Sequence, residues 1–204
     1  MARPLVLACG ALVAELRAVL HANELNDVVE VRYLPANLHN RPDRIVPALR
    51  DLLAEHDPAA DRPVLIGYGD CGTGGALDAL LAERPNLRRL PGNHCYEFFA
   101  GTSAFEALAD AELGTFYLTD FLAKHFDALV WQGLGLDRHP ELLPMYFGHY
   151  TRLMLLSQSG DAAVTAAAEG AAGALGLRFE QRHVGLTQFQ TAVTTVLAPT
   201  RKVA

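Results

Sequence analysis

Three cysteines are the residues of this chain best suited to chemistry. Cys9 closes an apolar run in Leu7-Ala8-Cys9-Gly10, Cys71 sits inside Gly69-Asp70-Cys71-Gly72-Thr73-Gly74-Gly75, and Cys95 follows His94. An odd number cannot all pair, and the spacing matches no secreted disulfide framework, so the thiols are expected to stay free as ligands or nucleophiles. The absence of a Cys-x-x-Cys pair excludes zinc ribbons and fingers. What remains is a three-thiolate site gathered from separate loops, with one position open for substrate, water or a fourth ligand. Thiolates select zinc or iron–sulfur clusters over hard cations. A four-iron ([4Fe–4S]) cluster held by three cysteines leaves one iron free. Distant single cysteines without a histidine pair favour the cluster over zinc. A lone free cysteine is often only a small core residue; the placement of all three at or just beyond strand ends argues for more.

Around these thiols stand candidate helpers. Gly69, Gly72 and Gly74 expose successive N–H groups ahead of a helix, a pattern that suits an anionic ligand. The stretch lacks the Lys-Ser/Thr of a P-loop and does not match Gly-x-Gly-x-x-Gly in a first βα turn, so nucleotide binding is not expected. Asp70 reads equally as an acid/base beside the site and as a turn residue. His39, in Leu38-His39-Asn40-Arg41-Pro42, and His94, beside Cys95, are candidate ligands or proton carriers near neutral pH. His149 lies in an aromatic cluster and reads as packing. No Gly-x-Ser-x-Gly elbow supplies a serine nucleophile.

The elements that must position these residues alternate in type. Apolar or period-two runs predict strands over 5–8, 28–34, 63–68, 87–90, 115–118, 152–157 and 177–184. Helical spacing predicts helices over 11–20, 42–53, 76–82, 96–111 with a break at Gly101, 120–130, 140–150, and an Ala-rich helix capped by Asp161 and ending near Leu175. Alternating strands and helices imply an α/β fold, a mostly parallel sheet with helices on both faces, Rossmann-like, as one domain over 1–204. The Gly/Pro stretch 133–140 is where a second lobe would begin. In such a sheet ligands bind beyond the carboxyl ends of the strands, so Cys9, Cys71 and Cys95 would share one rim.

Composition narrows the partners. The 204 residues are 50% hydrophobic and 20% charged, with a net charge of -6, the balance of a globular protein without a basic stripe, which excludes the usual nucleic-acid footprint. No run of 18 apolar residues occurs; the stretch 162–175 carries Glu169, and the N-terminal apolar run is too short for a signal peptide. A cytoplasmic, membrane-free protein acting on a small molecule is expected. The Ala-rich helix offers a face for packing against a second copy.

At these residues the chain resembles a bacterial and archaeal family, DUF1638. The resemblance lies in Cys9-Gly10, Leu38 to Pro42, Tyr68 to Gly74, Cys95, Tyr117 to Thr119 and Tyr146 to Tyr150, and spans nearly the whole chain. One departure is Asp120-Phe121 after Thr119, where a Gly-Trp-like pair is expected. The resemblance implies, by context, a place in corrinoid-dependent one-carbon metabolism, with a corrinoid protein or methyltransferase as partner. A looser likeness, of arrangement only, is to quinolinate synthase and the diphthamide synthesis enzymes, where three cysteines from separate α/β units hold a cluster. Three functions follow: a metal- or cluster-dependent transferase or lyase using Cys9, Cys71 and Cys95 with Asp70, His39 or His94 moving protons; a metal-free thiol enzyme with Cys71 activated by its glycine-rich turn and the following helix; or a non-catalytic accessory that delivers metal or binds a corrinoid protein.

Overall fold

The computed structural model describes residues 3–197. In chain order the strands are β1 (Leu5–Cys9), β2 (Glu30–Leu34), β3 (Val64–Gly67), β4 (Leu87–Arg89), β5 (Thr115–Thr119), β6 (Arg152–Ser157) and β7 (Arg178–His183). The helices are α1 (Val13–Ala22), α2 (Ile45–His56), α3 (Ala76–Glu83), α4 (Cys95–Ala100), α5 (Thr102–Ala111), α6 (Asp120–Lys124), α7 (Leu143–Phe147), α8 (Ala162–Leu175) and α9 (Thr187–Leu197). The expected α/β alternation is what forms, with every strand pair parallel. The strands do not make one sheet. They sort into a four-stranded sheet, β2-β1-β3-β4, and a three-stranded sheet, β5-β6-β7. β4 is only three residues long and carries Arg88 and Arg89, a short charged strand of the kind that ends a sheet.

The first compact unit holds the four-stranded sheet and takes in α9 from the far end of the chain. β1 and β3 are apolar on both faces, as a strand covered on both sides must be. Leu5 and Leu7 of β1 and Val64 and Ile66 of β3 alternate onto one face, where Ile45, Leu49 and Leu53 of α2 and Leu77 and Leu80 of α3 cover them. Burying each such leucine contributes roughly 1.5–3 kcal/mol. α9 packs on β3, with Phe189 and Val193 buried and the Phe189 ring 5.4 Å from that of Phe98.

In the second unit, residues 99–186, β6 is buried throughout. α8 lays Val164, Ala168, Ala171, Ala172 and Leu175 into the core; Asp161 caps it by accepting the Ala163 N–H at 2.8 Å. Gly101, at φ +85°, separates α4 from α5 as expected. The stretch 133–140 lies inside this unit, where Gly135, at φ +75°, turns the chain after a π-helical segment, Asp127–Trp131. Asp120 is buried, and its carboxylate accepts the N–H groups of Gln158 (3.1 Å) and Ser159 (2.8 Å). It ties the end of β5 to the end of β6. Among the described residues no helix is long and apolar enough to cross a membrane.

Candidate functional site

The site residues predicted from sequence all fall in the first unit, at the carboxyl edge of its sheet. Cys9 is the last residue of β1, Cys71 lies four residues beyond β3, and Cys95 opens α4 after β4. Three close backbone approaches hold these loops together. A Cβ on Gly10 would stand 2.7 Å from the Leu34 carbonyl, so only glycine lets the chain after β1 pass against the end of β2. A Cβ on Gly69 would stand 2.9 Å from the Gly92 carbonyl and 3.3 Å from the His94 nitrogen. That approach lets the Asp70 N–H donate to the Gly92 carbonyl at 3.0 Å and the Cys71 N–H donate to the Asn93 carbonyl at 2.8 Å. The strand of backbone carrying Cys71 is thereby stitched to the turn that delivers Cys95. Across from it, Pro42 lies against Gly72, bringing the His39 loop to the same edge.

Cys71 is one of the few non-glycine residues with a positive φ, +50°. A side chain there is disfavoured, and such conformations persist where the surroundings hold them, often at functional sites. Here the holding contacts are the two backbone bonds to Gly92 and Asn93.

The three sulfurs share one electrostatic field. All are half-buried, and all have raised pKa values. Burial pushes the Cys9 thiol up, with the Ala11 N–H, 3.5 Å away, and the Tyr68 hydroxyl drawing it back. Burial, then the charge of Cys9, pushes Cys71 up to about 12, against a lowering by the Gly69 N–H and by Arg89. Cys95 is pushed up by burial, then by Cys71 and Cys9, and drawn back by its own N–H and that of Tyr96 at the start of α4. Of these N–H groups, that of Ala11 donates to the Cys9 sulfur at 3.5 Å. Burial outweighs the dipoles of the turn and the following helix, and holds the Cys71 thiol up at about 12. The glycine-turn N–H groups that would have acidified it, those of Gly74 and Gly75, point elsewhere.

They point at Asp70. Its carboxylate accepts the Thr73 hydroxyl (2.7 Å), the Gly75 N–H (3.0 Å) and the Gly74 N–H (3.2 Å). Those bonds, the Thr73 one foremost, hold the Asp70 carboxyl below its ordinary range. Of the two roles weighed for Asp70, its geometry is that of a turn residue, and the amide nest formed by the glycines is occupied by the protein's own carboxylate. His94 lies close enough for its charge to reach His39. Crowding pushes the His39 pKa down and His94 pushes it further, while both rings remain solvent-exposed.

Among the described residues no three His, Cys, Asp or Glu side chains are grouped closely enough to hold a metal ion as they stand. The sulfurs share an edge and a field without forming a ready cage for a single ion. Sequence reading passed over three residues here. Tyr68 lies on the same sheet face as Cys9 and is buried; the alternation Val64, Ile66, Tyr68 was a usable signal for it. Arg89 donates to Asp78 (2.6 Å), to the Leu90 carbonyl (2.9 Å) and to the Gly92 carbonyl (3.0 Å), a fixed cation near Cys71. Glu97, buried, accepts the Asn93 N–H at 2.6 Å and braces the turn before Cys95. For those two, nothing in the sequence pattern marks the contact.

A family model described as "Protein of unknown function (DUF1638)" matches residues 33–193. The matched span takes in His39, Tyr68, Cys71, His94 and Cys95 and begins beyond Cys9. No curated protein and no solved structure matches the chain.

Proposed function

This chain belongs to the DUF1638 family, and from that premise we propose that it is a thiolate metalloprotein whose Cys9, Cys71 and Cys95 hold an iron–sulfur cluster at the carboxyl edge of the first sheet. The observation that carries the reading is that Cys9, Cys71 and Cys95 end or follow three strands at one edge of the first sheet, with the Cys71 loop bonded through the Asp70 and Cys71 N–H groups to the turn before Cys95. N–H donors favour a thiolate over a thiol, and hydrogen bonds to sulfur are a usual feature of cluster sites. A raised pKa describes the sulfurs with only each other for company; a bound cation reverses that balance and deprotonates a coordinating thiol.

What favours a cluster over zinc is the donor set: single cysteines distant in sequence, without a Cys-x-x-Cys or histidine pair. A cluster spreads its cysteines over separate irons. When bound by three cysteines it supplies one iron open to polarise a small polar substrate. The chain's own contribution beside it is proton movement: His39, whose pKa is pushed down by crowding and by His94, accepts a proton on its ring, and the neighbouring His94 can pass one on. Asp70 is left to the turn.

The test is reconstitution of the full chain with ferrous iron and sulfide under anaerobic conditions, followed by iron and sulfide analysis after gel filtration. The wild-type chain should retain both, and Cys9→Ser, Cys71→Ser and Cys95→Ser should each lose most of both while keeping the fold by circular dichroism. Retention no better than background in the wild type, or full retention in all three variants, overturns the reading.

A further inference from the structure

Within the second unit an open groove of about 400 Å³ runs between α8 and the chain that follows α6, a volume in the range of small-ligand sites. One side of it is aromatic, lined by Phe126 and Trp131. In an α-helix residues five apart stand roughly 140° apart around the axis, which would turn one of these rings away. The π-helical turn between them, closed by the Gln132 N–H donating to the Asp127 carbonyl at 2.8 Å, brings residues five apart over one another. The Gln132 side chain, in the same register, donates to the Asp127 carboxylate at 2.6 Å. Such turns are rare and occur frequently at functional sites. The other side is flat, made by Ala167, Gly170 and Ala174 of α8. Gly170 stands in a helix interior, where glycine is less stable than alanine. A Cβ there would meet nothing within 4 Å, so close packing inside the chain does not call for glycine. Its effect is to lower the floor of the groove.

At the rim the exposed Lys124 ammonium makes no ion pair or hydrogen bond with the described residues, nor does the Trp131 indole N–H, while Asp127 is engaged by Gln132. We propose that this groove binds a small aromatic carboxylate, its ring seated between Trp131 and Gly170 and its carboxylate held by the Lys124 ammonium and the Trp131 indole N–H. Offset stacking orients the ring, and both donors suit an ionised acceptor. Asp127, on the same rim, disfavours a ligand with a second negative charge. The cation and the open N–H are what favour a small anion here over the helix of a second copy. No residue of the cysteine edge enters, so this inference and the cluster reading stand or fall separately.

Trp131 is the only tryptophan of the chain, so its emission reads the groove. The full chain is titrated with 2-naphthoate and with its neutral counterpart 2-naphthamide, while sedimentation follows the association state. The naphthoate should quench saturably with a Kd at or below about 1 mM, and the naphthamide should bind about tenfold more weakly for want of the charge-assisted bond. Lys124→Gln should bring naphthoate down to the naphthamide level. Gly170→Leu, which fills the groove, should abolish the quenching. Gly173→Leu, equally open on the same helix but outside the groove, should behave as wild type, with circular dichroism confirming both folds. No saturable quenching in the wild type, equal binding of the two probes, or full binding by a folded Gly170→Leu overturns the proposal. A wild-type dimer that Gly170→Leu dissolves, with no response to naphthoate, gives the groove to a second copy and overturns it too. Should Gly170→Leu fail to fold, the Lys124→Gln comparison decides alone.

Discussion

In the metal-free protein at about pH 8, Cys71 should react with an aromatic disulfide roughly 50 times more slowly than the same cysteine in the unfolded chain. The perturbation is simply folding. Burial and the neighbouring Cys9 carry the thiol from 9.0 to about 12, which lowers its thiolate fraction about a thousandfold at pH 8. A thiolate of higher pKa is intrinsically more nucleophilic; a Brønsted slope near 0.4–0.5 returns about twentyfold over that interval. The quotient is the predicted factor. Peptide-resolved labelling of the folded chain, with a urea-unfolded control, gives the rate for each cysteine. Restricted access also slows a half-buried thiol, and the pH profile separates the two causes. An ionisation-limited rate keeps climbing tenfold per unit well beyond the ordinary thiol range, whereas an access-limited thiol of normal acidity levels off near pH 9. A Cys71 that labels as fast as the unfolded control, or whose profile levels off below pH 8, refutes the reasoning and restores Cys71 as an activated nucleophile.

Two further outcomes follow from the backbone of the site. Gly69→Ala places a methyl 2.9 Å from the Gly92 carbonyl, so it should cost about 1–3 kcal/mol in urea unfolding and abolish iron retention by parting the Cys71 loop from the Cys95 turn. Asp70→Asn removes the charge that accepts from Thr73, Gly74 and Gly75 and should lower stability at neutral pH by about 1–2 kcal/mol. Because the folded Asp70 pKa is depressed, its contribution is complete above the unfolded carboxyl value of about 3.9 and disappears as pH falls through the folded value. Denaturation curves of the wild type and Asp70→Asn should therefore converge in acid; a gap that persists unchanged there assigns the loss to shape instead of charge.

Much of this molecule was legible in residue order because its signals are local. Buried parallel strands such as Leu5–Cys9 and Arg152–Ser157 announce themselves as apolar runs, and the Gly101 break needs only a positive φ. α9 escaped because Thr187–Leu197 is rich in threonine and valine, poor helix formers. It is held by the burial of Phe189 and Val193 and by Thr191 and Thr194 hydroxyls donating back to Thr187 and Gln190 carbonyls. The division into two sheets escaped because strand order is set by long-range pairing, which periodicity does not encode. At the site, the placement of Cys9, Cys71 and Cys95 on one edge followed from the α/β rule, while the electrostatics did not. Whether a glycine-rich turn acidifies a thiol depends on where its N–H groups aim, and Asp70 had already claimed two of them. Tyr68 was readable from the alternation Val64, Ile66, Tyr68, though its place beside Cys9 needed the parallel register of β1 and β3, which the sequence does not display.

The most direct test of the account is iron-edge anomalous diffraction from crystals of the reconstituted protein grown without oxygen. The account predicts one anomalous centre bounded by the sulfurs of Cys9, Cys71 and Cys95. A centre held by other residues, or three sulfurs that remain unligated while iron is bound elsewhere, would contradict it.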